Sequence, residues 1–134
     1  MIESVLDEHL AVMGRVIAKF VSGGLMPHNI DSRAIEKFLG APEDKRTFEG
    51  IMVWMLDEGI IRAKKVSQTM DGTMFLAAAQ LTAKGFVIVK QPLPGGDTIE
   101  KRVHSDSSGN SFWTSIGDLV GSAAGSFTKS MTSG

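Results

Sequence analysis

The run from Ile60 to Leu81, IIRAKKVSQTMDGTMFLAAAQL, decides how this chain folds. Ile60 to Val66 is short and β-branched at both ends, and Asp71-Gly72 follows a polar stretch. Asp-Gly between two apolar runs signals a two-residue β-hairpin turn, because both central positions of that turn need positive φ. Met74 to Leu81 then reads as the returning strand, weakened by the alanines at 77 to 79. Thr82 stands where it can cap a short helix through Phe86 and Val89 that ends before Pro92.

Upstream of the hairpin the apolar period is helical. Val5, Leu6, His9, Val12, Met13, Val16, Ile17 and Phe20 recur every three or four residues, one face of a helix that Gly23-Gly24 stops. Asp31 or Ser32 is positioned to cap a second helix, with Ala34, Ile35, Phe38 and Leu39 inward and Gly40 at its end. Ala41 to Asp44 connects to a third helix whose inward set is Phe48, Ile51, Met52, Met55 and Leu56, closed by Gly59. Trp54 falls between Ile51 and Met55 and reads as a core or edge-packing residue. His9 belongs to the buried stripe of the first helix, and His28 reads as a loop residue.

Helix, helix, helix, hairpin, helix is an α+β order. Two runs give it a resemblance. Trp54-Met-Leu-Asp-Glu-Gly-Ile-Ile61 resembles the end of a third helix entering a first wing strand. Leu81-Thr-Ala-Lys-Gly-Phe86 resembles the turn after the second wing strand in winged helix-turn-helix families such as the MarR- and PadR-like regulators. The resemblance covers about two-thirds of the chain. It implies a winged helix-turn-helix domain, three helices plus a β-hairpin wing, over residues 1–91. A linker with a short helix is expected over 92–111, and an amphipathic helical tail over 112–131.

A winged helix implies duplex DNA as a partner, with the start of the third helix in the major groove and the wing on the backbone. That assigns DNA contacts to Lys45, Arg46, Arg62, Lys64 and Lys65. Charge qualifies the implication. The net charge of −1 offers no global positive field. Residues 60–90 carry five cations against one acid, whereas residues 1–59 carry six against ten, so the basic excess is confined to the wing and the helix after it. Glu43, Asp44 and Glu49 oppose phosphate at the third helix, although acids there also complement a helix dipole. Arg62, Lys64 and Lys65 equally suit the guarding of an exposed edge strand.

The tail shifts composition. Phe112, Trp113, Ile116, Leu119, Val120, Ala123, Ala124, Phe127 and Met131 share one helical face, and Gly117, Gly121 and Gly125 line its flank at every fourth position. Small residues at that spacing let two helices approach closely. Phe112, Trp113, Ile116, Gly117, Val120, Gly121, Ala124 and Gly125 are therefore the expected oligomerisation surface of a homo-oligomer. A protein partner, the chain's own body and a membrane surface are the other destinations, and few flanking cations weaken the last.

Two readings of function follow: a DNA-binding or transcription-associated factor, or a protein-interaction module whose tail drives assembly. No enzyme is expected, because the three histidines stand far apart and no nucleophile triad, phosphate loop or dinucleotide fingerprint occurs. No cofactor or metal is expected either, and the absence of cysteine excludes disulfides and thiolate-ligated metals. The acidic start MIESVLDEHL does not read as a secretory signal, so the expected location is cytoplasmic.

Overall fold

The computed structural model describes residues 5–91, Thr98, Gly117 and residues 120–122. Its elements are α1 (Val5–Gly23), β1 (His28–Asp31), α2 (Ile35–Leu39), α3 (Lys45–Asp57), β2 (Ile61–Arg62), β3 (Lys65–Gln68), β4 (Met74–Leu81) and α4 (Ala83–Val89). This is an α+β arrangement in which β4 is the central strand of an antiparallel sheet. β1 pairs along one side of β4, and β2 and β3 pair along the other.

The helical stripes form the core as their spacing demands. Phe20 and Ile17 of α1, Phe38 of α2 and Phe48, Met52 and Met55 of α3 meet Leu76 of β4 and Ile88 of α4 in one buried cluster. Each fully buried side chain of this size contributes about 1.5–3 kcal/mol. The α1 stripe is buried only from Ala11 onward, and Val5 and Leu6 at its start are exposed.

The hairpin differs from the two-residue turn that Asp71-Gly72 suggests. Gln68 pairs with Met74, and the Thr69 amide donates to the Thr73 carbonyl at 2.8 Å, leaving Met70, Asp71 and Gly72 as a three-residue loop. Only Gly72 has positive φ, at 86°. Asp71 serves instead as an acceptor for the Thr69 hydroxyl and, at 3.1 Å, the Thr73 amide. A turn closed by a left-handed glycine is the next commonest hairpin design, and the Asp side chain stabilises it without positive φ of its own. The strand expected over Ile60 to Val66 also divides in two, β2 and β3, on either side of Ala63 and Lys64.

His28 lies in a strand rather than a loop. β1 is held by Ile30, 1% exposed and opposite Leu76, and its register slips between His28 and Ile30 where β4 bulges. Ala78 takes φ 54° at that bulge, a left-handed conformation costing an alanine about 1–2 kcal/mol. The Asn29 side-chain oxygen accepts from the Ala78 amide at 3.0 Å and holds it there.

Neither Asp31 nor Ser32 caps α2. Ala34 holds that position without a side-chain cap, and Asp31 instead accepts from the Arg33 amide at 2.8 Å. Ser32, 4% exposed, turns inward. Its hydroxyl donates to Glu49 of α3 at 2.5 Å and accepts from the Met74 amide at 2.8 Å. One hydroxyl therefore ties the β1–α2 connection to both α3 and β4. Ser32→Ala leaves the buried Met74 amide without its acceptor, and a loss of about 1–3 kcal/mol is expected in a denaturant titration. An unchanged midpoint would show that water replaces the hydroxyl.

The runs Trp54–Ile61 and Leu81–Phe86 touch each other. Gly59 ends α3 at φ 72°, and the Thr82 hydroxyl caps α4 by accepting from the Gly85 amide at 3.0 Å. The same hydroxyl donates back to the Gly59 and Ile60 carbonyls. Lys84 reaches across to donate to the Glu58 carbonyl at 2.6 Å, satisfying the end of α3. Leu81 to Phe86 is thus a clasp that fastens α4 to the α3–β2 junction.

Candidate functional site

The five cations expected to contact DNA do not share a surface. Lys45, at the start of α3, turns to the hairpin tip and donates to the Thr73 hydroxyl at 3.3 Å. Arg46, its neighbour, points about 100° away around the helix and lines a groove against α1. Lys65 pairs with Ala77, four residues along β4 from Thr73, which puts it roughly 13 Å from the tip. Arg62 pairs with Gln80, roughly 24 Å from the tip, and donates to the Gln80 side chain at 3.2 Å. Arg62, Lys64 and Lys65 are all exposed, and they form a short basic edge at the base of the hairpin.

The hairpin tip carries the opposite charge. Hydrogen bonds from the Thr69 hydroxyl, the Thr73 amide and the Thr73 hydroxyl pull the Asp71 carboxyl down to about 2. Beside the tip, a depression of about 540 Å³ is lined by Arg33, Lys37 and Lys45 together with Glu36 and Glu43. Its cations are partly committed. Arg33 is paired with Asp31 at 2.9 Å, which lowers the Asp31 carboxyl and raises the guanidinium. Asp44 caps α3 by accepting from the Thr47 amide at 2.9 Å, and that bond holds its carboxyl below the usual range. A phosphate approaching the start of α3 and the tip therefore meets both signs of charge.

A more uniform surface lies between α1 and α3. Leu6, His9, Leu10 and Met13 recur at helical spacing on α1, and Arg46, Thr47, Gly50, Ile51 and Trp54 do so on α3. The two faces line a groove of about 480 Å³, with Gly121 of the tail also at its wall. Its size and mostly apolar walls suit an apolar occupant. Gly50 opens it, because a Cβ there would meet nothing within 4 Å. Arg46 makes no side-chain hydrogen bond or ion pair among the described residues, unlike Arg15 of α1, which pairs with Glu43 at 2.8 Å. Trp54 is half-buried, packed against the core on one side and on the groove on the other.

Three of the eight residues assigned to oligomerisation are described. Gly117 is buried against α1, where a Cβ would overlap the Leu10 carbonyl oxygen and lie 2.6 Å from its carbon. Val120 is fully buried and part of the core cluster. Gly121 is half-buried with open space around it. Phe112, Trp113, Ile116, Ala124 and Gly125 lie outside the described residues, as does the short helix expected after the linker, apart from Thr98.

The sequence pointed to the cations and did not point to the groove. Arg46 had read as a DNA contact. The available signal was the spacing of Arg46, Gly50 and Trp54, one helical turn apart each time, which sets a glycine between a cation and an aromatic on one face. Among the described residues no three histidine, aspartate or glutamate side chains gather as a metal site, and no helix is long and apolar enough to cross a membrane. No protein-family profile matches the chain, and neither a curated protein nor a solved structure is detectably similar to it.

Proposed function

We propose that this chain is a winged helix-turn-helix module that works by docking protein rather than by reading DNA sequence. The order of helices and strands, with a hairpin tip beside the start of α3, supports the winged-helix reading. One observation carries the choice of function. The cations a DNA reader needs at the start of α3 are divided between the tip and the α1 groove, while the groove itself offers a contiguous, mostly apolar wall. Base readout requires several donors converging on one groove of the duplex, and this surface does not converge them.

The exposed edge of Arg62, Lys64 and Lys65 favours a second, weaker activity: contact with a polyanion backbone without sequence preference. A titration with a pool of randomised duplexes at low salt separates the readings. Any retardation is expected to be uniform across sequences, to vanish with rising salt, and to be abolished by Lys64→Glu with Lys65→Glu. Enrichment of one sequence that depends on Lys45 or Arg46 would overturn the docking assignment.

A further inference from the structure

We infer that the outward face of the sheet binds single-stranded nucleic acid, with an unpaired base stacked on Phe75 and phosphates held by Lys65 and Arg62. The inference rests on reading the basic edge as a polyanion contact and supplies the chemistry of that contact. Strand alternation sets the face. Met74, Leu76, Ala79 and Leu81 of β4 are buried in the core cluster. Phe75, between the first two, turns the other way and is 38% exposed. Gln80 lies five residues beyond Phe75, and in a regular strand it would point to the opposite side. The bulge at Ala78 adds one residue to β4 and returns Gln80 to the face of Phe75. Register then carries the cations across. Lys65 stands opposite Ala77, and Arg62 stands opposite Gln80, to which it donates at 3.2 Å, so both share that face.

The arrangement suits a chain of unpaired nucleotides. Ala77 and Ala78 leave a low shelf between Phe75 and Gln80 on which a planar base can lie. Lys65 stands about 7 Å along the strand from Phe75 and Arg62 roughly 16 Å, so the cations succeed one another as phosphates of a single strand would. β2, β3 and β4 contain no acid, and Lys64 adds an exposed cation between β2 and β3. On β1 the outward residues are Asn29 and Asp31, and the Asp31 charge is already paired with Arg33 at 2.9 Å. The face is therefore positive in a chain whose net charge is −1, and complementary to phosphate. A duplex keeps its base faces within its own stack, so it would engage the cations and leave Phe75 unused. Unpaired bases all offer a π-face to the ring, whatever their identity. A membrane would call for a protruding apolar tip, whereas Phe75 lies within the sheet between Ser67 and Asp31.

Fluorescence anisotropy at low salt tests this with a labelled oligothymidylate of about twelve nucleotides and with the duplex it forms with oligoadenylate. The single strand is expected to bind the full-length protein about tenfold more tightly than the duplex. Phe75→Thr, which keeps a strand-forming residue, should weaken the single strand about tenfold and leave the duplex unchanged. The unchanged duplex affinity shows that this variant is folded. Phe75→Tyr should restore the single strand, and Arg62→Glu with Lys65→Glu should abolish both. A second measurement needs no substitution. Ultraviolet cross-linking of the parent to the oligothymidylate should label Phe75, within the tryptic peptide of residues 66–84. If single strand and duplex bind alike and Phe75→Thr changes neither, the basic edge is a bare polyanion contact: that reading stands and the stacking assignment falls. If neither nucleic acid binds, both readings fall, and association with phosphatidylserine vesicles in the same buffer would give the face to a membrane instead. Cross-links confined to other residues would also overturn the assignment.

Discussion

Gly85→Ala is expected to destabilise the fold by about 3 kcal/mol and to lower its melting temperature by roughly 10–20 °C. A Cβ on Gly85 would overlap the Ile60 carbonyl oxygen, and it would lie 3.1 Å from Leu81 Cδ2 and 3.4 Å from the Ile60 carbonyl carbon. The main obstacle is backbone, so a rotamer change cannot relieve it. α4 would have to move off β2, taking with it the Thr82 cap, the Lys84 bond to the end of α3 and the burial of Ile88 and Val89. The upper part of the range for overpacking is therefore appropriate. Gly50→Ala is the control, since it sits mid-helix in α3 with open space around its Cβ. It should gain about 1 kcal/mol from helix propensity alone. Paired thermal melts check both, and a Gly85→Ala protein that melts with the parent would mean that the clasp is not closed in solution.

That clasp also explains what could be read from the chain before its fold was known. Thr82 was readable as a cap because the demand it meets, an acceptor for the Gly85 amide, is local. Lys84 and Gly85 answer instead to Glu58 and Ile60, at the distant α3–β2 junction, and no local pattern records that. α1 and α3 were readable locally too, since their apolar period runs long enough to exclude a strand. β1 was not. Its four residues, His28 to Asp31, include one aliphatic side chain, and they form a strand only because Leu76, far along the chain, pairs with Ile30. Ser32 misled in the same way. A serine before a helix reads as a cap, yet its hydroxyl is claimed by Glu49 and Met74, contacts no local pattern records.

The functional surface was harder to read than the fold, and the charges show why. Lys45 and Arg46 are adjacent in sequence and look like one basic cluster, but successive helix residues point about 100° apart. Lys64 and Lys65 sit in the same hairpin as the tip, yet strand length carries them away from it. Sequence proximity counts charges correctly and places them badly. The groove depends on the relative placement of α1 and α3, which neither helix encodes alone. Gly117, expected on spacing to serve contact between copies, lies against the Leu10 backbone of α1 in the same chain.

Phe38→Ala is expected to cost about 3–5 kcal/mol. Phe38 is 6% exposed, and its ring centre lies 5.4 Å from those of Phe20 and His28 and 6.3 Å from that of Phe48. Removing it opens a cavity bounded by three rings that cannot collapse without moving α1, α3 and β1 together. It also changes the response to pH. His28 is wedged edge-on against Phe20 and Phe38, and its buried Nε2 has no hydrogen-bond partner among the described residues. Burial, and secondarily the positive charge of Lys19, lowers its pKa from 6.5. The unfolded chain therefore binds this proton more readily than the native one. Stability is complete above pH 6.5 and is lost as pH falls from there toward the depressed native value. Asp31, Asp44 and Asp71 also favour their charged forms in the native state, but their stabilisation is lost only below their ordinary value of 3.8. The interval between about pH 7.5 and 5 thus isolates the histidine. Denaturant titrations across it should show the parent losing stability toward pH 5. In Phe38→Ala, water reaches the imidazole, burial no longer opposes its charge, and the slope should flatten even though the protein is weaker throughout. An undiminished slope in Phe38→Ala would trace the effect to Lys19 rather than to burial among the rings.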